Sequence, residues 1–426
     1  MRRLSTVVIV LAALAMLPAP AAASHQENRP VIFVHGSAGS ALQFETQAKR
    51  LASNGYPAES IEAHDYDSTF ATTTLDQVWA GLDARVTRLL AQTGADRVDM
   101  LGHSLGTFVM QGYLSSSPER AARVAHYVNL DGRPAAAPPG GVPTLAVWGE
   151  GDPARTIVGA TNVSFPDQSH TQVVTSDETF VEIYRFFTGR EPRTTAILPG
   201  PTLLSGRAVL FPTNVGVTGA RLDVYEVGTL TGIRLRRVAA FELAGDGSFG
   251  PFRAKPWARY EFAIVRPDGA THHTYYQPFR RTDRLIRLLT SLPGQGVGAL
   301  METSDHHTNL IVNRNKEWWG GEDALWINGT DVVTAAIAPR SKRVIGIFVY
   351  DRSVDRVSDL SAPIPAIFAQ PFLTGVDLFV PAAPAHLGLV FVVTRARDGD
   401  GRIDWLTVPN WPSTDHRSTL QVDDVA

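Results

Sequence analysis

The stretch that decides the fold is Gly102-His103-Ser104-Leu105-Gly106, which follows the apolar run Val98 to Leu101. A helix-like segment begins after it, at about Thr107. A serine on a tight turn between a strand and a helix holds its hydroxyl clear of the sheet. The positions two before and two after it crowd the neighbouring backbone, so glycine is required there. The spacing and its context therefore predict that Ser104 is a nucleophile at the end of a buried strand.

Strand-like and helix-like segments alternate on both sides of this motif, over residues 30–190. Val31 to Val34 is a continuous apolar run, as expected of a buried parallel strand, and Thr144 to Trp148 is another. A helix is predicted from Leu75 to Gly94, with one apolar stripe formed by Leu75, Val78, Leu82, Val86 and Leu89. A last helix is predicted after a capping box of Thr175 and Glu178. Such alternation predicts a mostly parallel sheet flanked by helices.

The pattern changes after residue 190, where prolines and glycines indicate a linker. Beyond the linker, short strand-like runs are separated by turns such as Gly245-Asp246-Gly247, which is typical of a β-sandwich. The segment from Asp283 to Thr290 is more helical in pattern and precedes Pro293-Gly294, which we interpret as a second boundary. We therefore predict domains over residues 24–190, 191–293 and 294–426. The two β-rich segments form either one large sandwich or two small ones.

The N-terminal segment has the features of a signal peptide. Arg2 and Arg3 precede the apolar run Leu4 to Leu17, and a small-residue cleavage site follows at Ala21 to Ala23. Removal of residues 1–23 and secretion are therefore expected, and no later segment has the pattern of a membrane span.

Composition excludes several kinds of function. The chain has 426 residues and no cysteine, so it has no disulfides, no thiol nucleophile and no cysteine-based zinc site. Its formal net charge of −3 is spread without strong clusters, so nucleic acid is not an expected partner.

A serine nucleophile needs a histidine base and an acid that orients the histidine. His170 lies in a loop after a predicted strand and before the last helix, and is the predicted base. Two carboxylates at strand ends are candidates for the acid: Asp131, before Gly132, and Asp152, before Pro153. The pattern alone slightly favours Asp152.

The reaction intermediate of such chemistry carries an oxyanion that needs backbone N–H donors. Leu105, directly after the predicted nucleophile, provides one donor. Ser37, in the glycine-containing loop after the first strand, is the best-placed second donor. A phosphate-binding loop is not predicted, because the loop has neither the required glycine spacing nor a lysine.

The β region contains two further patterns. Asp398, Asp400 and Asp404 resemble half of a calcium loop, but the closing glutamate is absent, and a hairpin turn is the favoured interpretation. Four tryptophans could form an aromatic face for lipid or glycan: Trp318, Trp319, Trp326 and Trp405. Such residues more often belong to the core, which is the favoured interpretation.

Residues 30–190 resemble the secreted bacterial and archaeal lipases that join a compact α/β-hydrolase domain to a C-terminal β domain. The stretches that carry the resemblance are residues 30–40, 102–108, 116–122, 130–132, 143–147 and 160–163. The resemblance implies an α/β-hydrolase fold followed by all-β, sandwich-like domains. It places the nucleophile at Ser104, the base at His170 and an oxyanion donor at Ser37. It also places the acid at Asp131, which reverses the preference for Asp152.

One departure from these lipases concerns the cover of the active site. Relatives can carry a long helical lid before the second helix, whereas the segment from Tyr66 to Thr74 is short here. We therefore expect residues 191–426 to present the substrate interface, where the protein meets lipid, without contributing to bond breaking.

The expected activity is that of a lipase on acylglycerols or other apolar esters, working through an acyl-enzyme without a cofactor or metal. An esterase acting on short-chain esters or polyesters is the alternative of the same class. A catalytically inactive, secreted binding protein is the alternative of another class.

Overall fold

The computed structural model describes residues 28–383, 387–397 and 403–423. The predicted signal peptide lies outside the described residues, and so do Asp398 and Asp400 of the acidic turn. The strands on either side of that turn, whose bounds are given below, pair antiparallel.

The N-terminal part contains a parallel sheet in the order β2-β1-β3-β4-β5-β6. Its strands are β1 (Val31–Val34), β2 (Ile61–His64), β3 (Val98–His103), β4 (Val124–Leu130), β5 (Thr144–Trp148) and β6 (Thr161–Ser164). The helices around it are α1 (Glu45–Ser53), α2 (Leu75–Thr93), α3 (Leu105–Ser116), α4 (Pro118–Ala122), α5 (Gln172–Thr175) and α6 (Asp177–Thr188).

Helices cover both faces of this sheet. Val31 and Phe33 of β1 belong to the same core cluster as Phe180 of α6. The alternate residue Ile32 belongs to a second cluster, together with Leu82 of α2. Since successive strand residues point to opposite faces, a strand covered on both sides must be apolar throughout, which explains its sequence.

One predicted helix boundary agrees with the structure, and another differs by a residue. Helix α2 ends at Gly94, which has φ 71°, as predicted for a left-handed C-cap. The capping prediction for α6 was wrong by one residue. The N-cap is Ser176, whose hydroxyl accepts a hydrogen bond from the Thr179 N–H, while Thr175 ends α5.

The C-terminal part is almost entirely β-structure. Its strands are β7 (Leu203–Leu210), β8 (Val215–Gly216), β9 (Ala220–Val227), β10 (Arg234–Leu243), β11 (Ser248–Arg253), β12 (Arg259–Val265), β13 (Thr271–Tyr276), β14 (Asp283–Thr290), β15 (Leu310–Trp318), β16 (Ala324–Ile327), β17 (Thr330–Asp331), β18 (Val344–Tyr350), β19 (Leu373–Asp377), β20 (Leu389–Arg395), β21 (Ile403–Pro409) and β22 (His416–Val422). A short helix, α7 (Pro365–Phe368), packs on β19. The predicted fold class, an α/β hydrolase followed by β-structure, is confirmed.

A continuous sheet runs through both β segments, in the order β10-β9-β12-β13-β22-β15-β18-β19. Its centre is β22, which pairs in parallel with β13 on one side and with β15 on the other. Two smaller sheets have the orders β11-β7-β14, with β8 on β7, and β17-β16-β20-β21. The C-terminal strand thus joins the segments on either side of the predicted boundary at residue 293.

The prediction that residues 283–290 are helical was wrong, because they form β14, which pairs in parallel with β7. Leu285 joins the core of the α/β domain, whereas Ile286 and Leu288 join the β core. A strand that is buried on both faces has leucines at many spacings, including helical ones.

The tryptophans divide between core and surface. Trp318 is fully buried. Trp326 and Trp405 are half-buried. Both pair with Val393 and so share one face of their sheet. The opposite face of that sheet supplies Val392 and Leu406 to the core.

The described residues contain neither a membrane-spanning helix nor a cluster of metal ligands. No described helix combines the length and apolar character that a membrane crossing requires. Among the same residues, no group of three or more His, Cys, Asp or Glu side chains is placed to hold a metal ion.

Candidate active site

Ser104 occupies a sharp turn between β3 and α3, with φ 50° and ψ −119°. This conformation is strained for a residue with a side chain and is characteristic of a nucleophile elbow. The side chain is half-buried and lines a cavity. The two glycines of the motif are packed as predicted: a Cβ on Gly102 would lie 2.8 Å from the Gly106 carbonyl oxygen.

The close packing of Gly106 at the elbow predicts that a larger residue at this position destabilises the fold. A Cβ on Gly106 would collide with the carbonyl oxygens of Val34 and His35. We expect Gly106→Ala to lower the free energy of unfolding by about 1–3 kcal/mol, because helix α3 must move away from β1. The measurement is a denaturant melt of each variant. Gly200→Ala is the control, because a Cβ on Gly200 would lie 3.7 Å from the nearest atom outside the adjoining residues. An equal loss of unfolding free energy in this control would contradict the packing argument.

Asp131 and His170 are brought together by two separate loops. Asp131 follows β4 and His170 lies between β6 and α5. The ring Nδ1 of His170 donates a hydrogen bond of 2.5 Å to Asp131 Oδ2. Asp131 is buried, and its other oxygen accepts a hydrogen bond of 2.9 Å from the Gly149 N–H.

Asp152, the alternative acid, is not part of this arrangement. Its side chain is exposed and accepts a hydrogen bond from the Ala154 N–H at 2.8 Å, as in an ordinary turn. Sequence reasoning missed Arg155, which lies three residues later and forms an ion pair of 2.8 Å with Asp131.

These contacts hold Asp131 in its charged form. Burial would raise the pKa of its carboxyl group, but the hydrogen bond and charge of His170, the Gly149 N–H and the charge of Arg155 lower it to about 2. Asp131 is therefore a carboxylate at every pH near neutrality, and it stabilises a positive charge on His170.

The predicted oxyanion donors flank the same cavity. Ser37 is exposed in the loop after β1, and Leu105 is the first residue of α3. Among the described residues, neither backbone N–H has a hydrogen-bond partner, whereas the neighbouring Ala38 N–H donates to Ser68 Oγ at 2.9 Å. Both donors are thus available to a bound group.

A chain of hydrogen bonds connects the loop after β1, the end of β3 and the loop that carries His170. The Gly36 N–H donates to Gln43 Oε1 at 3.3 Å, and Gln43 Nε2 donates to His103 Nδ1 at 2.8 Å. His103 Nε2 in turn donates to the His170 carbonyl oxygen at 2.9 Å. Burial holds the pKa of His103 well below its ordinary value, so His103 is neutral and its tautomer is fixed by these partners. Sequence reasoning also missed Gln43, which no motif identified.

Ser104 and His170 line one cavity of about 550 Å³, part of it open to solvent. The described residues include no direct hydrogen bond between their side chains. Such bonds are often long without substrate and tighten when it binds. The cavity wall also includes Ser37, Gln43 and His103.

This cavity continues into an apolar space between the two parts of the molecule. The residues that line both spaces are Ala38, Leu42, Leu289, Asn315 and Ile345. The further walls are mostly side chains of the β region, including Phe211, Val297, Ile311, Phe348 and Leu373. The β region therefore covers the surface beside Ser104, and the described segment from Tyr66 to Thr74 forms no long lid there.

Comparison with family models divides the chain into three parts. Residues 29–170 match the "alpha/beta hydrolase fold" model, and residues 200–293 match the "Lipase C-terminal domain" model. A further model, described as a C-terminal domain, matches residues 296–426.

Three solved structures that resemble this chain each cover about two fifths of it. The product of gene lin2722 from Listeria innocua is 13% identical, with 39% of this chain and 97% of that chain covered and a TM-score of 0.30. Lipase B from Aspergillus fumigatus is 12% identical, with 40% and 55% covered and a TM-score of 0.32. A CIB-like hydrolase from Thermoplasma acidophilum is 18% identical, with 38% and 86% covered and a TM-score of 0.28. At these values the likenesses carry no argument about activity.

The family models agree with a parallel sheet flanked by helices and with the β-rich C-terminal half. The chain therefore fits a lipase-family α/β hydrolase with a C-terminal domain.

Proposed function

We propose that this hydrolase cleaves carboxylic esters through an acyl-enzyme, with Ser104 as nucleophile, His170 as base and Asp131 as the orienting acid. The observation that supports this most is the 2.5 Å hydrogen bond between His170 and the buried carboxylate of Asp131, in the cavity wall beside Ser104.

The proposed reaction has two halves. Ser104 Oγ attacks the ester carbonyl while His170 Nε2 accepts its proton, and the N–H groups of Ser37 and Leu105 stabilise the oxyanion. His170 then gives the proton to the departing alcohol, which leaves an ester on Ser104. A water molecule, deprotonated by His170, attacks this ester, and Ser104 regains its proton as the acid product departs. Asp131 stays charged and stabilises the imidazolium in both halves.

The proposed substrate is an ester with a long acyl chain, such as an acylglycerol. The apolar space that continues from the cavity at Ser104 suits a hydrocarbon chain, and its shared wall offers mainly aliphatic carbon. Burying each CH₂ group of such a chain is worth about 0.8 kcal/mol.

We also propose that the protein is secreted, on the basis of residues 1–23, and that it contacts lipid interfaces. The outer face of the β16–β20–β21 sheet supports this contact, because Phe391 and Ile403 are exposed beside Trp405. Exposed aromatic and aliphatic side chains of this kind suit the boundary between lipid and water.

Filling the apolar space tests the substrate class. Ile345 is half-buried and lines both parts of the space. We expect Ile345→Trp to lower kcat/KM for p-nitrophenyl palmitate about tenfold, the loss of roughly two buried CH₂ groups. Hydrolysis of p-nitrophenyl acetate should stay near wild type, because a short acyl group does not reach the space.

The control is Val357→Trp, which introduces the same tryptophan at a position that is 61% exposed and outside this space. Equal losses on palmitate and acetate in Ile345→Trp, with a melting temperature unchanged from wild type, would contradict the acyl-binding assignment.

A further inference from the structure

Glu317, a buried side chain of the β region, binds the loop that carries His170. The two carboxylate oxygens of Glu317 bind the two residues adjacent to His170. Glu317 Oε2 accepts a hydrogen bond from the Ser169 hydroxyl, and Oε1 accepts one of 2.8 Å from the Thr171 N–H. Both neighbours of His170 are thus fixed to strand β15.

Glu317 is itself rigidly placed. It is fully buried, and its carbonyl oxygen accepts hydrogen bonds from the guanidinium groups of Arg314 and Arg397. Both guanidinium groups also pair with the buried Asp323, at 2.8 and 2.7 Å. Arg397 extends further to the start of α5, where it donates to Gln172 Oε1 at 2.7 Å. The support of the His170 loop is therefore a network of buried charges and not a lone side chain.

We propose that Glu317 is a positioning residue for the ester hydrolysis described above, acting through His170. This inference rests on the proposed function. Glu317 does not line the cavity at Ser104, so it touches neither substrate nor the reacting atoms. Its part is to hold the His170 ring where Nδ1 meets Asp131 and Nε2 faces the cavity.

The physical reason is that a histidine in a loop can move away from its catalytic position unless the loop is held. The residue lies in a loop between β6 and α5. Among the described residues, its own hydrogen bonds within the α/β domain are those of its Nδ1 and its carbonyl oxygen. A displacement of about 1 Å at a catalytic group costs on the order of 10²-fold in rate. Two hydrogen bonds donated by the flanking residues to a buried carboxylate restrict such displacement.

The proposal changes the role expected of the β region. From the sequence, residues 191–426 were expected to present substrate without contributing to bond breaking. With Glu317 on β15, the β region contributes to the position of the base, and the two parts of the chain form one catalytic unit.

The test compares Glu317→Ala and Glu317→Gln in the full chain. We expect Glu317→Ala to lower kcat for p-nitrophenyl acetate about 10²-fold with KM little changed, since a displaced base affects chemistry more than binding. Glu317→Gln should recover part of this loss, because its amide oxygen still accepts from the Thr171 N–H while its NH₂ group donates to the Ser169 hydroxyl.

The matched controls are Asp283→Ala and Asp283→Asn. Asp283 is also a buried carboxylate of the β region that contacts the α/β domain, where it pairs with Lys49 at 2.9 Å. It touches neither the His170 loop nor the cavity at Ser104. We expect both controls to keep the kcat of wild type at temperatures below their melting transitions. If Glu317→Ala does not fold, the comparison of Glu317→Gln with Asp283→Asn decides in the same way.

A proton NMR measurement tests the inference without any ester. The proton between His170 Nδ1 and Asp131 should give a downfield resonance in wild type and in the Asp283 variants, and this resonance should shift or broaden in the Glu317 variants. Equal kcat values in the folded Glu317 and Asp283 variants, with an unchanged resonance, would overturn the positioning role while leaving the proposed function intact. A wild-type protein that keeps the resonance but hydrolyses no ester would instead overturn the proposed function and, with it, the role assigned to Glu317.

Discussion

Ser104→Ala is expected to abolish ester hydrolysis, with kcat reduced on the order of 10⁵-fold or more, since the members of a catalytic triad act as a unit. The fold should survive, because alanine removes one oxygen from a half-buried side chain and adds no atom to the turn. The measurement is single-turnover and steady-state hydrolysis of p-nitrophenyl acetate, combined with labelling by a fluorophosphonate probe. The probe should label wild type at Ser104 and leave the variant unlabelled.

The matched control is Ser37→Ala in the loop after β1. The predicted contribution of Ser37 is its backbone N–H, which alanine retains, so this variant should remain active and be labelled. A Ser104→Ala enzyme with activity within about tenfold of wild type would show that another group is the nucleophile, because losing the attacking atom costs far more than tenfold. An unlabelled wild type would favour the alternative of an inactive binding protein.

The second large effect is expected at Asp131. We expect Asp131→Asn to lower kcat about 10⁴-fold, because an amide favours the wrong tautomer of the histidine and cannot stabilise the imidazolium. Arg155 strengthens this expectation, since its guanidinium would face an amide in place of the carboxylate that it now binds at 2.8 Å. The measurement is kcat for a soluble short-chain ester.

Asp152→Asn is the matched control, with the same chemical change at an exposed turn. Its activity should stay close to that of wild type. The reverse ranking of the two variants would restore Asp152 as the acid, as the strand-end pattern alone slightly favoured.

The pH dependence of stability follows from the same carboxylate. The pKa of Asp131 is about 2 in the folded protein, below its ordinary value. Its pairing therefore stabilises the fold above the pKa of the unfolded chain, and this contribution is lost as the pH falls toward about 2. In Asp131→Asn that part of the acid dependence should be absent from denaturant melts between neutral and acidic pH.

The sequence by itself determined the α/β part because its signals are local. The apolar run of β1, the stripe of α2 and the two glycines around Ser104 each depend on the geometry of neighbouring residues. Fold class and the candidate serine could therefore be predicted from residue spacing alone. Even here, the predicted N-cap of α6, Thr175, is one residue before the observed N-cap, Ser176. Two adjacent residues with hydroxyl groups give the same capping signal.

Only the tertiary structure decided which acid meets His170. Asp131 and Asp152 both follow strands of the parallel sheet, β4 and β5, and the strand-end pattern alone slightly favours Asp152. The family resemblance pointed to Asp131, and the structure places its carboxylate against the imidazole. The separation in sequence between Asp131 and His170 is bridged by the packing of the sheet, which no local pattern encodes.

Tertiary structure alone also decided which residues of the β region lie against the site. Residues 283–290 were misread as helical because both faces of β14 are buried, one against each part of the molecule. Glu317 carries no motif, and its two contacts with the loop of His170 arise from chain segments almost 150 residues apart. Long-range contacts of this kind depend on how whole sheets pack, and so a residue of this type is found only when the fold is complete.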